Sequence, residues 1–440
     1  MQISSMAVSK YLENYAEKEI HQVPAIHFTY HQVLVIPAFD EKLSFWKNLK
    51  SSKPLNKSKF TLIILVVNSP ESSSECYNNH ELVKTIKNET DCLEKTEHQS
   101  LLELTENQHI LLIDRYSANL KVPDNQGVGL ARKIGSDIAL DLIYKGKIIS
   151  PWIHTTDADT ELPENYFDAC EQETPEGALL YPFVHTHENE YSRFYDFSLY
   201  YYVAGLKWAD SPYAFHTLGS IIACHYQSYA EVRGYPKKSA GEDFYFLNKV
   251  AKVGKVKTLE TLPLIIQARP SIRVPFGTGP AIIKIANLDK PLIEYLYYHP
   301  QVFNYLKVWL NVIKDLWLFN NDSANRAIEQ SLSQNLLTYE SYKTFGNEEL
   351  DGDFLKTCLQ ALNVEIWIKH GFDQCKSEMH FLRHMNHAFD AFRTLKFIHY
   401  VRDNKYKSIS LNNLIDQQAL DVLGLTNEYA SSFNSKKFEK

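Results

Sequence analysis

The run FTLIILVVN, Phe60 to Asn68, indicates the class of fold to which this chain belongs. Its apolar stretch is far too short to cross a membrane, which takes about 20 apolar residues. Leucine, isoleucine and valine occupy successive positions, so both faces of a strand formed here would be apolar. Such a strand is typical of a sheet that is covered by helices on both sides.

Four further runs have the same character, and segments of helical pattern lie between them. The strand-like runs are 31–39, 109–115, 150–157 and 177–184, and the helical segments are 41–50, 79–107 and 129–146. This alternation predicts an α/β fold with a mostly parallel sheet flanked by helices. Long aromatic stretches with helical spacing follow from about residue 290. We therefore predict one domain over 1–289 and a helical C-terminal unit over 290–440 that packs on the core.

The composition excludes several classes of protein. The chain has 440 residues, a formal net charge of −7 at pH 7 and six cysteines. The negative charge argues against a general nucleic-acid-binding protein. The cysteines form no CxxC pair, which argues against a zinc ribbon and a disulfide framework. The N-terminal segment lacks the apolar core of a signal peptide, and no run reaches 18 apolar residues. We therefore expect a cytoplasmic protein without a transmembrane segment.

The segment PWIHTTDADTELPENYF, Pro151 to Phe167, places two carboxylates where a predicted strand ends. Asp157 and Asp159 are either solvated turn residues, since aspartate is a common turn former, or residues that hold a positively charged group. Ligands of open parallel sheets bind at the carboxyl ends of the strands. That location favours the second interpretation.

The segment VLVIPAFDE, Val33 to Glu41, runs from an apolar strand into an acidic pair. Pro37 and Ala38 end the strand, and Asp40 precedes Glu41 at the start of a predicted helix. The acids either cap that helix or belong to a loop that helps to cradle a nucleotide, and the two interpretations are compatible.

The segment PDNQGVGLARKIGSDIAL, Pro123 to Leu140, combines glycines with two cations at the start of a helix. Gly129 would let a ligand approach the backbone closely, and Arg132 lies one turn further on. This arrangement suits a phosphate group. A surface helix with exposed cations is the alternative.

The remaining candidates lie nearer the C-terminus. Glu242 and Asp243 begin a predicted helix, where they are either a general base or acids that the helix dipole favours. Arg273 is either a phosphate clamp or a surface arginine. Trp208 and Tyr213 flank a turn and either bind an acceptor sugar or pack in an aromatic core.

Taken in order, these segments resemble the family 2 glycosyltransferases of the GT-A fold. The family's first strand commonly reads like VIPAYNE, a later helix carries G..ARN, and an Asp-x-Asp and a late Glu-Asp follow. The matching positions are 35–41, 129–133, 157–159 and 242–243. The resemblance covers roughly residues 30 to 280 and implies a Rossmann-like GT-A sheet.

The resemblance implies sugar transfer from a UDP- or GDP-linked donor with Mn²⁺ or Mg²⁺ as cofactor. Asp159 would ligate the metal, and Asp157 would contact the metal or the donor ribose, because oxygen ligands suit a divalent cation that neutralises the leaving diphosphate. Family members often have adjacent aspartates after the second strand, whereas this chain has Asn68, which we expect to contact the donor instead. The other donor-binding candidates are Pro37, Ala38, Asp40, Glu41, Gly129, Arg132 and Arg273.

The expected mechanism is a single displacement that inverts the anomeric centre. Asp243, or Glu242, would deprotonate a hydroxyl group of a carbohydrate or lipid-linked acceptor. One alternative is a nucleotidyltransferase, which is disfavoured because the loop of the first strand has no Gly-rich, basic signature. Another is a non-catalytic sugar- or nucleotide-binding protein, which the missing acidic pair at Asn68 supports. For the C-terminal unit, homodimerisation and contact with a membrane surface stay open beside packing on the core.

Overall fold

The computed structural model describes residues 2–52, 59–74, 76–174, 176–186, 191–271, 273, 277–339, 349–416, 420, 423 and 425. The chain forms two compact units. Unit 1 comprises Met1–Glu188 and Thr217–Pro280, and unit 2 comprises Asn189–His216 and Ala281–Lys440. Residues 189–216, which the sequence assigned to the first domain, thus group with the second unit. The reason is that Phe194, Phe197 and Tyr201 are buried in the apolar core of unit 2.

The strands of the described residues are short, and most belong to unit 1. In chain order they are β1 (Gln32–Ala38), β2 (Thr61–Asn68), β3 (Asp91–Lys95), β4 (Gln99–Thr105), β5 (Gln108–Arg115), β6 (Trp152–Thr155), β7 (Thr160–Glu161), β8 (Ala178–Leu180), β9 (Phe183–His185), β10 (Ile222–His225), β11 (Val256–Thr258), β12 (Leu264–Ile266), β13 (Leu296–Tyr297) and β14 (Ile409–Ser410).

Nine of these strands form one sheet, in the order β11-β8-β10-β6-β1-β2-β5-β4-β3. β6, β1, β2 and β5 are parallel neighbours at its centre, and within this sheet only β4 and β10 run in the opposite direction. Every residue of β1 and β2 is buried, as expected for strands covered on both faces. The predicted α/β class with a large, mostly parallel central sheet flanked by helices is confirmed.

The helices of the described residues occur in both units. In chain order they are α1 (Gln2–Asn14), α2 (Leu43–Ser51), α3 (Tyr77–Glu89), α4 (Gly127–Tyr144), α5 (Tyr191–Trp208), α6 (Tyr226–Glu231), α7 (Glu242–Val253), α8 (Thr278–Ala286), α9 (Pro291–Glu294), α10 (Gln301–Asp315), α11 (Ala324–Tyr339), α12 (Gly352–Ala361), α13 (Val364–Gln374), α14 (Glu378–Ala388), α15 (Ala391–Asn404) and α16 (Leu411–Asp416). None of these helices combines the length and the apolar character needed to cross a membrane.

Helix α4 lies close against the centre of the sheet. A Cβ atom at Gly135 would lie 2.4 Å from Cγ1 of Val35, so only glycine permits this distance. All residues from 129 to 142 are buried, including Arg132 and Lys133. The interpretation of this segment as a surface helix with exposed cations is therefore wrong.

The predicted helical segment 79–107 is helical only over its first eleven residues. Helix α3 ends at Glu89, and β3 and β4 then form an antiparallel hairpin that extends the sheet beyond β5. Leu101 and Leu102 are buried there and pair with β5. The edge of β5 supplies hydrogen-bond partners that the local sequence pattern does not reveal.

The predicted strand 177–184 divides at Pro182. β8 joins the main sheet, whereas β9 pairs with β12 in a separate three-stranded sheet that also contains β7. Proline lacks the amide hydrogen that would continue a ladder. β10, which the sequence analysis missed, lies antiparallel between β6 and β8.

Unit 2 is built almost entirely from helices around α10. Val302, Phe303, Leu306 and Trp309 of this helix are completely buried. In α5, a Cβ atom at Gly205 would lie 2.3 to 2.5 Å from the ring of Phe303, so the glycine leaves room for the aromatic side chain. The core of this unit is thus closely packed and predominantly apolar.

Candidate functional site

The parallel strands β1, β2 and β6 end at the same edge of the main sheet. Val35 of β1 pairs with Ile64 of β2 and with Thr155 of β6. The loop after β1 contains Glu41, and the loop after β6 contains Asp157 and its neighbours. Ligands of open parallel sheets bind at this edge.

Arg132 of α4 joins two acidic segments that are far apart in the sequence. Its Nη2 donates to Oδ1 of Asp157, 25 positions away, and its Nη1 donates to Oε1 of Glu242, 110 positions away. The side chain of Arg132 is 2% exposed, and that of Asp157 is 37% exposed. The arginine therefore ties the start of α7 to the loop after β6, and its charge is directed at protein carboxylates.

Gly219 and Tyr235, which the sequence analysis did not identify, shape the space around Arg132. A Cβ atom at Gly219 would lie 2.4 to 2.5 Å from the guanidinium atoms. The ring centroid of Tyr235 lies 5.8 Å from Cζ of Arg132, within the range of a cation–π contact. The hydroxyl of Thr155 donates to the carbonyl oxygen of Gly219 over 3.1 Å. An isolated glycine and an isolated tyrosine form no motif, so no sequence signal would have identified them.

A second group of ion pairs is centred on Glu41. Nη2 of Arg269 donates to both carboxylate oxygens of Glu41 at 2.7 Å, and Nη1 of Arg273 donates to one of them at 2.7 Å. Nε of Arg269 lies 3.6 Å from Oδ2 of Asp159. The Glu41 side chain is 8% exposed, whereas those of Arg269 and Arg273 are 32% and 27% exposed. Two arginines thus lie beside the Asp-x-Asp loop and still reach solvent.

Two carboxyl groups at this edge have raised pKa values. Burial and the nearby Asp157 raise the pKa of Asp159 to about 7, against the opposing effect of Arg269. Burial also raises the pKa of Asp243 to about 6, although Arg132 opposes that shift. Perturbed carboxyls are concentrated at functional sites, but ion pairs with a purely structural role perturb them as well.

The start of α4 is covered by another part of the chain. The amide of Gly129 donates to the carbonyl oxygen of Lys238 over 2.9 Å. A Cβ atom at Gly129 would lie 2.5 Å from that oxygen and 2.6 Å from the carbonyl oxygen of Pro236. Gly129 thus permits close packing of two backbone segments. This arrangement argues against its predicted role as a contact for the donor phosphates.

Asn79, another residue that the sequence analysis missed, connects the loops after β1 and β2. The amide of Asp40, which has a φ of 56°, donates to Oδ1 of Asn79, and Nδ2 of Asn79 donates to the carbonyl oxygen of Asn68. Asn78 donates to the Asp40 carboxylate over 2.7 Å. These contacts give Asp40 and Asn68 a role in loop structure. The only signal in the sequence is the asparagine pair at the start of α3.

Four further predicted site residues are engaged in packing. They are Pro37, Ala38, Trp208 and Tyr213. The first two are the buried last residues of β1. In unit 2 the buried Tyr213 donates its hydroxyl to a carbonyl oxygen of α14 over 2.8 Å. A lysine of α10 lies 3.9 Å from the ring centroid of Trp208. These contacts favour the packing alternative for the two aromatic residues.

Asp157 and Asp159 supply the oxygen ligands that Mg²⁺ and Mn²⁺ prefer. Within the described ranges, no three or more His, Cys, Asp or Glu side chains are grouped so that they could hold a metal ion. Two carboxylates are nevertheless enough for Mg²⁺, which usually retains water or phosphate oxygens as its other ligands. Burial and repulsion from Asp157 raise the pKa of Asp159, and a cation would relieve the repulsion. The residues therefore fit a divalent cation whose coordination is completed by other oxygens.

Comparisons with known proteins give little further guidance. No family model and no curated protein sequence matches this chain. Among solved structures, the chain is similar to a mannosyltransferase from Pyrobaculum calidifontis in complex with GDP-Man and Mn²⁺. The identity is 11%, the match covers 87% of this chain and 93% of that chain, and the TM-score is 0.33. A likeness at this TM-score carries no argument about activity.

Proposed function

We propose that the chain is a metal-dependent glycosyltransferase that moves a sugar from a nucleotide-sugar donor to an acceptor hydroxyl group with inversion. The proposal depends on one observation. Segments that are far apart in the sequence meet at the carboxyl edge of the sheet, where two arginines each link a pair of acids. The links are Arg132 with Asp157 and Glu242, and Arg269 with Glu41 and Asp159.

Asp243 is the proposed general base. The acceptor oxygen forms a bond to the anomeric carbon while the bond from that carbon to the diphosphate oxygen breaks, and the acceptor proton passes to Asp243. A pKa raised to about 6 makes Asp243 a stronger base than an ordinary aspartate, and it remains ionised at neutral pH. Glu242 is 5% exposed and paired with Arg132, so we assign it to positioning.

Arg269 and Arg273 are the proposed contacts for the diphosphate. Both reach solvent, whereas Arg132 is buried against its two carboxylates. Arg132 is therefore a positioning residue in this proposal and not the phosphate ligand that the sequence predicted. A divalent cation, held by Asp157 and Asp159, would neutralise charge on the departing diphosphate.

Replacement of Asp159 tests the metal assignment. We expect calorimetry to show binding of UDP or GDP to the wild-type chain in the presence of Mn²⁺, and loss of the Mn²⁺-dependent affinity in Asp159→Asn. The melting temperature should change little, since the substitution keeps the shape of the side chain. Asp168→Asn is the matched control, because Asp168 is exposed and lies outside the site. Unchanged affinity in folded Asp159→Asn would refute the assignment.

A non-catalytic nucleotide-sugar-binding protein is the second candidate, and the ion pairs supply its support. Glu41, Asp157 and Glu242 each have an arginine partner, as in a network with a structural role. A panel of UDP- and GDP-sugars separates the two candidates. Release of nucleoside diphosphate that depends on an acceptor supports the transferase, whereas donor binding without turnover across the panel supports the second candidate.

A further inference from the structure

Unit 1 contains a cavity of about 590 Å³ beside the loop that carries Asp157 and Asp159. Its lining includes Leu34 and Ile36 of β1. Because side chains alternate along a strand, these residues point away from the face of β1 that packs against α4. The volume is in the range of about 300–1,000 Å³ that is usual for small-molecule sites.

The interior of the cavity is apolar. Phe45 and Leu49 of α2 join the two β1 side chains in the lining, and all four are buried. A ligand that fills this space must place an apolar group there, because a polar group would lose its hydrogen bonds to water.

The open side of the cavity is apolar in part, beside the exposed polar residues Asn48, Ser51, Glu161 and Glu164. Leu262 and Ile265 line it and are 57% and 37% exposed. Single exposed apolar side chains are common on protein surfaces. Here, however, two of them flank the opening of an apolar cavity, so that a bound apolar group would cover both.

Four carboxyl groups also line the cavity, namely those of Asp157, Asp159, Glu161 and Glu164. Even if a divalent cation compensates the first two, the charge of the exposed Glu161 remains. It would repel a phosphate, whereas sugar hydroxyl groups would donate hydrogen bonds to a carboxylate. The diphosphate of a donor therefore does not belong in this cavity.

We propose that the cavity binds the apolar aglycone of an uncharged acceptor whose sugar hydroxyl groups face the Asp157–Asp159 loop. The role as acceptor rests on the proposed glycosyltransferase function, whereas binding itself does not. An alkyl glycoside has the required chemistry, since it joins an apolar chain to an uncharged sugar. A lipid phosphate has the same apolar chain with the unfavourable charge.

The test is calorimetry on the full chain with n-octyl β-D-glucoside below its micelle concentration. We expect octyl glucoside to bind more tightly than glucose, which has no alkyl chain. It should also bind more tightly than n-octyl phosphate, which has the wrong charge. Leu262→Glu should weaken octyl glucoside binding about tenfold, because the variant removes apolar contact and adds a fifth carboxylate. Ile149→Glu is the matched control, since Ile149 is 63% exposed and is not part of the lining.

The outcomes separate this proposal from the proposed function. Absence of octyl glucoside binding, equal binding by folded Leu262→Glu, or tighter binding of octyl phosphate overturns the cavity proposal. Binding of UDP or GDP with Mn²⁺ is measured in the same samples and should be the same in both variants. If the glycoside binds in the cavity and neither nucleotide binds, the cavity site stands and the glycosyltransferase proposal fails.

Discussion

The two units differ in what they bury. Among the described Asp, Glu, Lys and Arg residues, seven are buried in unit 1 and two in unit 2. Those of unit 1 are Glu19, Glu41, Arg132, Lys133, Asp137, Asp141 and Glu242, and those of unit 2 are Asp196 and Asp390. Buried ion pairs rarely stabilise a fold better than apolar packing does. In the proposed function, unit 1 retains charge for the site, whereas unit 2 is organised for packing.

Buried charge alone does not identify the site. Lys133 donates to Asp137 over 2.8 Å and to the hydroxyl of Tyr11 over 2.6 Å, and the hydroxyl of Tyr229 donates to Asp137 over 2.6 Å. This cluster connects α1, α4 and α6 deep inside unit 1. The candidate site differs because Asp157, Arg269 and Arg273 are partly open to solvent. A ligand needs that access.

The largest expected effect is on the stability of unit 1. Arg132→Met leaves Glu242 buried without its cation, which should lower the free energy of unfolding by about 3–5 kcal/mol. Lys257→Met is the control, because it breaks only an exposed pair with Glu173 and should cost less than about 1 kcal/mol. Urea unfolding followed by circular dichroism measures both. If the two variants were equally stable, the buried pair would contribute no more to the stability of unit 1 than the exposed pair does.

The next effect is on turnover. Asp243→Asn should lower the rate about 10²-fold or more, the usual scale for loss of a general base, while nucleotide binding is kept. In contrast, Glu242→Gln should lower both stability and turnover, because it weakens the pair with Arg132. Steady-state kinetics and calorimetry separate the two results. Normal turnover in Asp243→Asn would place the base elsewhere.

A smaller effect is expected from overpacking unit 2. Gly205→Ala drives a methyl group into the ring of Phe303 and should lower the free energy of unfolding by about 1–3 kcal/mol. The better helix propensity of alanine offsets up to about 1 kcal/mol of this loss. The second substitution Phe303→Leu should recover part of this loss. Thermal unfolding measures the stability of both variants. Nucleotide binding should not change in either. Lost nucleotide binding in a folded variant would contradict the division of roles.

The last expected effect is spread over several pH units, because it is the dependence of stability on pH. Burial lowers the pKa of His154 in unit 1 to about 3, from an ordinary value of about 6.5. Below about pH 6.5 the unfolded chain binds a proton at this residue and the folded chain does not. The free energy of unfolding therefore falls as the pH is lowered towards 3, by at most about 1.4 kcal/mol for each pH unit.

His154→Phe should remove this contribution, because phenylalanine does not bind a proton. The substitution keeps a ring beside Tyr166 and Tyr181. His216→Phe should do the same in unit 2, because burial lowers the pKa of His216 to about 4. Urea unfolding at several pH values gives both slopes. An unchanged slope in His154→Phe would mean that this histidine is not held neutral.

Much of the fold could be predicted because it depends on local patterns. Strands such as β1 and β2 have apolar residues on both faces, and that pattern by itself requires cover on both sides. The hairpin β3-β4 could not be predicted, since its strands depend on the edge of β5. For the site, the sequence located the acids at strand and helix ends. It could not show that Gly129 is covered by Pro236 and Lys238.

The sequence by itself determined the α/β class, the helical C-terminal residues and the acids at Asp157, Asp159, Glu242 and Asp243. Burial and turn formation depend on residues that are close in the sequence, so local sequence patterns predict them. Only the tertiary structure decided which cation faces which acid. Arg132 pairs with Glu242 across 110 positions, and its charge is thereby committed to the protein. Coulomb interactions depend on distance in space, and no local pattern encodes that distance.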